Sequence, residues 1–222
     1  MNTDRVPVIA IDGPSASGKG TVAQTVATTL GFHLLDSGAL YRLVALASMR
    51  EGVGLDDEAK VAALADRLPV RFDDGDVTLG GERVTDAIRT EECSIAASRV
   101  AALPSVRKAL LGRQRAFRQP PGLVAEGRDM ASVVFPDAGL KVFLTAGVEV
   151  RAARRHKQLI EQGIAATLPS LLQDLRERDA RDASRSVAPL KQSPGALRLD
   201  TTAMSAVQAA ALIVGWYRRA NG

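Results

Sequence analysis

The sequence holds a single cysteine, Cys93, in 222 residues. A disulfide within the chain is excluded, and so is a zinc site built on cysteines; Cys93 is expected as a small core residue. Its two histidines, His33 and His156, are too few and too isolated to form a metal constellation; His33 falls in a strand-like stretch and is expected as a core or second-layer residue. Aromatic residues make up only 4% of the chain, which leaves few platforms on which nucleic-acid bases could stack. No apolar run approaches the roughly 20 residues of a membrane helix. The opening "MNTDRV" is polar and leads straight into a strand, so no signal peptide and a cytoplasmic location are expected. Internal repeats and low-complexity tracts are absent. Lysine is scarce as well: Lys19, Lys60, Lys108, Lys141, Lys157 and Lys191 stand against a total of 29 basic residues.

What is present is an apolar fraction of 46%, enough for a buried core in one α/β domain or in a core with an inserted subdomain. The net charge is +4 and the pI about 9.6. Most of the basic charge is arginine, whose planar fork grips phosphate in a bidentate way. A basic balance suits nucleic acid or small anions equally, but there is no long basic tail.

The apolar run "VPVIAID" (6–12) reads as a fully buried strand of a parallel sheet. A helix is expected from Lys19 to Leu30 with Gly31 as its cap, a short strand at 32–36, and a helix to Arg50 capped by Asp36 or Ser37. Another helix is expected over Asp57 to Leu68. Between Pro69 and Thr85 the texture changes. Turn signals at Asp74-Gly75 and Gly80-Gly81 separate short alternating segments, the pattern of a small antiparallel meander. A helical pair at about 91–102 and 106–118 follows, with Pro104 and Ser105 between. Strands at 123–127 and 140–146, helices at 148–162 and 168–183, a strand at 196–202 and a helix at 204–219 complete the chain. The arrangement is one of βα units forming a parallel sheet, interrupted by an insert at roughly 65–120.

"GPSASGKGT" (13–21) follows the first strand directly. Gly13-x-x-x-x-Gly18-Lys19 has the P-loop spacing. Its glycines let backbone N–H groups point at phosphate oxygens, the helix that begins at Lys19 adds its positive end, and Lys19 brings a cation to the terminal phosphates. Gly20 stands where a magnesium-binding Ser or Thr is usual, and Thr21 comes one place later. A magnesium ion would then be held mainly by nucleotide phosphates and water. No guanine-reading Asn-Lys-x-Asp occurs, which argues against a switch GTPase.

An acceptor phosphate needs further cations, and several lie at expected strand ends. "LLDSGALYR" places Ser37, Tyr41 and Arg42 after the second strand, and "AEGRDM" places Arg128 and Asp129 after the next one. "RERDARDASR" sets Arg178, Asp182 and Arg185 at i, i+4 and i+7 on one helical stripe, with Arg181 beside them; it reads equally as a salt-bridged face. "VEVRAARRHKQ", with Arg151, Arg154 and Arg155, is open between a lid closing on a nucleotide and a solvated helix face.

The set "GPSASGKGT", "LLDSGALYR", "IRTEE", "LPSVRKALLGRQRAF", "AEGRDMASVVFPDA" and "RERDARDASRSVAPL" resembles the bacterial cytidylate kinase family of nucleoside monophosphate kinases, over nearly the whole chain. That resemblance implies a single P-loop kinase domain over 1–222 with a parallel five-stranded core. It also implies a monophosphate-binding insert of antiparallel β and helical structure at about 65–120 and a helical lid at about 148–168. The implied reaction is phosphoryl transfer from ATP, with Mg²⁺, to CMP or dCMP. Gly13, Pro14, Ser15, Ala16, Ser17, Gly18, Lys19, Gly20 and Thr21 would bind ATP. Ser98, Arg107 and Asp129 would contact the cytosine. Arg42, Arg128 and Arg185 would hold the acceptor phosphate, Arg178 and Asp182 would meet the ribose, and Ser37 and Tyr41 would line the CMP pocket. Lys19, Arg128 and Arg185 are the expected catalytic residues. A monomer acting on free nucleotides, without nucleic acid or membrane as partner, is expected. Two rivals follow from the residues alone. One is a P-loop kinase for another nucleoside monophosphate or for a small hydroxyl substrate, the latter with Asp12, Asp36 or Asp129 as its base; the other is a basic nucleic-acid-binding ATPase.

Overall fold

A computed structural model describes residues 6–73, 76–161 and 163–221. In chain order the elements are β1 (Val8–Asp12), α1 (Lys19–Leu30), β2 (His33–Asp36), α2 (Ser37–Arg50), α3 (Glu58–Asp66), β3 (Val70–Asp73), β4 (Asp76–Leu79), β5 (Glu82–Arg83), α4 (Glu91–Val100), α5 (Pro104–Ala116), β6 (Leu123–Gly127), β7 (Leu140–Thr145), α6 (Val148–Glu161), α7 (Leu168–Ser184), β8 (Leu197–Asp200) and α8 (Ala206–Asn221). A 3₁₀ turn at Ala87–Arg89 and a π-helical turn at Met130–Val134 complete them. The chain divides into two compact units, one running to Leu35 and resuming at Phe117, the other spanning Asp36–Ala116.

The first unit is an α/β layer structure. Its five-stranded sheet has the order β2-β6-β1-β7-β8. β1 pairs in parallel with β6 and β7, and β7 with β8. All five residues of β1 and of β6 are buried, as expected of central strands covered on both faces. Ile9, Ile11, Val124, Val142 and Leu144 from the sheet meet Val22, Ala23, Val26 and Ala27 of α1 and Ala209, Ala210 and Ile213 of α8 in one core. The register aligns Asp12 with Gly127 and with Phe143. The carboxyl ends of the central strands therefore share one edge, where ligands bind in such sheets. A smaller core joins α6 and α7 through Ala152, Leu159, Leu171 and Leu175.

The second unit packs α2 against α3 and α4, and α3 against α5. Its three-stranded sheet, β3-β4-β5, is antiparallel, as the alternating segments predict. Gly80 and Gly81, at φ 61° and 88°, link β4 to β5; the other expected turn, Asp74-Gly75, lies outside the described residues. Asp36 caps α2 by accepting from the Ala39 N–H at 3.0 Å, and Thr90 caps α4 through the Cys93 N–H at 3.2 Å.

Three expectations need correction. Pro104, placed between two helices by sequence, is the first residue of α5, where its fixed φ suits the helix and its missing N–H is no loss. His33 is exposed, not a core residue: β2 is an edge strand, and the imidazole Nε2 reaches out to the Pro120 carbonyl at 2.9 Å. Arg185 is not part of the stripe with Arg178 and Asp182, because α7 ends at Ser184 and Arg185, at φ −56° and ψ 135°, is its extended C-cap.

Candidate active site

The phosphate loop is built by close approach and by left-handed backbone. A Cβ added at Gly13 would collide with the Leu144 carbonyl oxygen of β7, so no larger residue fits there. Gly18, at φ 89°, caps α1 with no side chain, and no acidic residue stands in the first turn of that helix. The positive end of α1 is thus left without a carboxylate of its own. Ala16, between them, is held at φ 56°, a conformation a β-carbon disfavours. The Lys19 ammonium is buried, donates to the Pro14 carbonyl at 3.2 Å, and lies 3.7 Å from the Glu126 carboxylate at the end of β6. Ser17 is also buried, and its hydroxyl has no hydrogen-bond partner among the described residues.

A chain of alternating charge leads away from Lys19. Glu126 acts electrostatically on Arg128, whose Nε donates to Asp182 at 2.7 Å, and Arg185 contacts the other oxygen of that carboxylate. Asp182 is 1% exposed and pairs with Arg128 and Arg185, so this part of α7 carries a buried ion-pair cluster. Burial pushes its carboxyl up, but Arg128 and then Arg185 and Arg178 outweigh this and hold it below the usual carboxylate range. Burial would lower Arg128, yet Asp182 and Glu126 keep its guanidinium above the ordinary value. Arg128, Arg178, Asp182 and Arg185 thus belong to one electrostatic cluster in the same unit as the phosphate loop. Asp129 is buried beside them in sequence, and its carbonyl accepts from the Val133 and Val134 N–H groups of the π-helical turn.

Asp12, at the end of β1, accepts from the N–H groups of Met130 and Ala131 at 2.8 Å each, one per carboxylate oxygen. Burial raises its pKa to about 6 against the lowering effect of these two bonds. Both oxygens are committed to the turn after Asp129, so this carboxylate positions backbone and is poorly placed to take a substrate proton.

In the second unit, Ser37 opens α2 and is buried. Arg42 donates to the Ile88 carbonyl at 3.0 Å and to the Ser94 hydroxyl at 3.4 Å. Arg107 donates to the Ala101 carbonyl at the end of α4, and its guanidinium carbon lies 5.6 Å from the centroid of the Tyr41 ring. Ser98, one turn earlier on α4, is buried with a hydroxyl that has no hydrogen-bond partner among the described residues. The structure thus brings Tyr41 and Arg107 together and sets Ser98 on the helix whose end holds Arg107.

Sequence reasoning left the Arg151, Arg154 and Arg155 cluster open between a lid and a solvated face. Arg151 is buried: it donates to the Ala146 carbonyl at 3.0 Å, to the Ser15 carbonyl at 3.1 Å, and to both oxygens of Asp179. Arg154 donates to the Ser17 carbonyl at 3.0 Å and to Thr201 and Met204. Glu126 was missed as well. Its signal was there: a carboxylate inside "LVAEG", an otherwise apolar strand that abuts the P-loop strand.

The buried strand, the glycine-shaped loop and the helix beginning at an occluded lysine define a P-loop protein, a class built to hold nucleotide phosphates at a strand edge. The particular family follows from comparison with known proteins. The cytidylate kinase family model matches residues 9–219. The chain is 58% identical over 219 residues to a cytidylate kinase from Chromobacterium violaceum, covering 98% of this chain and 99% of that one. It is 59% identical over 212 residues to a cytidylate kinase from Burkholderia pseudomallei, covering 96% and 93%. The chain belongs to the cytidylate kinase family. A crystal structure of an uncharacterized protein from Eubacterium ventriosum shares the fold at a TM-score of 0.50 and 12% identity, over 95% of this chain and 97% of that one.

Proposed function

We propose that the protein transfers the terminal phosphoryl group of ATP to CMP or dCMP, giving ADP and CDP or dCDP. The observation that carries this reading is the charge chain from Lys19 through Glu126, Arg128 and Asp182 to Arg185. It joins a nucleotide-phosphate loop to a second set of guanidinium groups within one unit. Two phosphate groups repel as they approach, and preorganised cations offset that repulsion where charge develops.

In this reading Gly13 to Thr21 hold the ATP phosphates, with Lys19 at the terminal ones. Arg42, Arg128 and Arg185 hold the acceptor phosphate, and Arg178 and Asp182 meet the ribose. Ser98, Arg107 and Asp129 read the cytosine, with Ser37 and Tyr41 lining its pocket. The acceptor is a phosphate whose second pKa is about 6, so it enters largely as the dianion and needs no general base. The commitment of both Asp12 oxygens to backbone N–H groups agrees with this and disfavours a hydroxyl substrate. Residues at about 65–120 serve as the monophosphate-binding insert, and those at about 148–168 as the lid that excludes water during transfer.

The residues present fit a magnesium ion held mainly through nucleotide phosphates and water. Gly20 offers no hydroxyl, a Cβ placed there would lie 3.6 Å from Glu126 Oε1, and no group of three His, Cys, Asp or Glu gathers among the described residues. Glu126, with the Ser17 hydroxyl, would border such an ion, which when bound neutralises phosphate charge. No helix among the described residues is long and apolar enough to cross a membrane; we take the protein to act as a cytoplasmic monomer on free nucleotides.

A coupled assay with ATP against CMP, dCMP, UMP, AMP and simple alcohols tests the reading. Turnover with CMP or dCMP well above the others is the expected result. Turnover of an alcohol without turnover of CMP would overturn it.

A further inference from the structure

The phosphate loop is held in shape from behind by two arginines of α6. The carbonyl of Ser15 accepts from Arg151 at 3.1 Å, and the carbonyl of Ser17 accepts from Arg154 at 3.0 Å and from the Thr201 hydroxyl at 3.3 Å. In a planar trans peptide the C=O and the following N–H point in opposite directions. Fixing the Ser15 carbonyl toward Arg151 therefore turns the Ala16 N–H the other way. Fixing the Ser17 carbonyl toward Arg154 does the same for the Gly18 N–H. These are the two residues of the loop with left-handed backbone, at φ 56° and φ 89°. Such a backbone persists only where its surroundings hold it, most of all at a residue with a β-carbon. The Ala16 side chain rests on the small core between α6 and α7, so the same two helices grip the loop by packing and by charge.

The two arginines are themselves well anchored. Arg151 forms a two-pronged pair with Asp179 of α7, at 2.6 and 3.2 Å, and also holds the Ala146 carbonyl. Arg154 holds the Thr201 carbonyl at 2.6 Å and the Met204 carbonyl at 3.3 Å, beyond the end of β8. Each therefore ties the loop to a second element of the same unit.

We propose that Arg151 and Arg154 are positioning residues for the nucleotide. They draw the carbonyls of Ser15 and Ser17 away from the phosphate side, so that the Ala16 and Gly18 N–H groups face it. Without them a peptide is free to flip and present a carbonyl oxygen to an anion. This inference rests on the reading of Gly13–Thr21 as the ATP site.

The test measures ATP and CMP dissociation constants separately for Arg151→Met, Arg154→Met and Arg154→Lys, together with the ¹⁵N–¹H amide signals of residues 16 and 18 in the nucleotide-free proteins. Since Arg151→Met leaves the Asp179 charge half-paired, the double variant Arg151→Met with Asp179→Asn is measured beside it. ATP affinity is expected to fall about 10-fold or more in both Met variants, as for loss of a charge-assisted bond, with CMP affinity changed less than about twofold. The Gly18 amide signal should move in Arg154→Met and the Ala16 signal in Arg151→Met before any nucleotide is added, and Arg154→Lys should recover part of the ATP affinity. Unchanged ATP affinity overturns the proposal. So does a fall in ATP affinity with both amide signals unmoved, since the arginines would then act on the nucleotide directly. Failure of the wild-type protein to bind ATP would instead remove the reading of the loop itself.

Discussion

The arginines expected to meet substrate have different partners in the two units, whereas surface arginines such as Arg50 and Arg83 of the Asp36–Ala116 unit pair with carboxylates. In the unit that carries the phosphate loop, Asp182 fixes Arg128 and Arg185 and Asp179 fixes Arg151, while Arg154 is held by carbonyls and the Thr201 hydroxyl. In the Asp36–Ala116 unit, Arg42 is fixed by a carbonyl and a hydroxyl, and Arg107 by a carbonyl and by its place over the Tyr41 ring. A carboxylate orients an arginine strongly but cancels much of its charge. A neutral acceptor orients it less strongly and leaves the charge to act on a ligand.

The largest expected effect lies at the loop. Lys19→Ala should lower kcat by roughly 10²–10³-fold, as for loss of one preorganised donor, with some loss of melting temperature because the buried Glu126 carboxylate loses this cation. Near-normal turnover would show that the buried ammonium is structural only. Arg185→Ala should lower turnover severely too, because it removes a cation whose position Asp182 sets.

Next comes the carboxylate between the two arginines. Asp182→Ala leaves Arg128 and Arg185 buried against each other, and loss of one partner of a buried ion pair costs about 3–5 kcal/mol. A melting temperature about 10 °C lower is expected for a chain of this size. If thermal scans of the two proteins coincide, the carboxylate does not set the geometry of this unit, and the contrast between the units collapses. Arg107→Met in the other unit should act on affinity instead, raising the CMP KM by about 10-fold with the ATP KM within about twofold. Equal changes in both KM values would show that Arg107 does not read the cytidylate.

A further effect is one of pH. Asp12 has its pKa raised from 3.8 to about 6 by burial. Between those values the folded state binds the proton that the unfolded state has released. Its contribution to stability is therefore present below pH 4 and is lost as pH rises through about 6, by on the order of 3 kcal/mol. Asp182 has the opposite sign: lowered in the folded state, it contributes stability above its unfolded value, lost as pH falls through the folded one. Asp12→Asn should flatten the dependence of melting temperature on pH between 4 and 6, and Asp182→Asn the dependence below 4. Parallel curves for Asp12→Asn and wild type would show that Asp12 carries no such proton.

Much of the fold was readable in advance. Helix α1 from Lys19 to Leu30 and helix α2 from Ser37 to Arg50 follow from caps and flanking strands. The strand at 123–127 follows from an apolar run between turn residues. The site was readable where chemistry and local sequence coincide, as at Gly13–Lys19. It was not readable where a side chain works through a partner distant in sequence. Arg151 meets Ser15 across 136 positions and Arg154 meets Ser17 across 137, so nothing in "VEVRAARRHKQ" distinguishes a loop clamp from a solvated face. His33 went the other way, since strand pattern alone does not say which strand lies at the edge of a sheet.

By itself the sequence determined the local items: where helices begin and end, that a glycine loop with one lysine follows a buried strand, and that arginine dominates the positive charge. Those depend on backbone preferences and on spacing along the chain, which act over a few residues. Tertiary structure alone decided which arginine meets which carboxylate, that Asp12 supports a turn, and that α6 reaches back to the loop. Burial and pairing of charge are set by what the folded chain packs beside each group, and neighbours that matter here lie as far apart in sequence as 54 positions for Arg128 and Asp182, 118 for Asp12 and Met130 and 137 for Arg154 and Ser17.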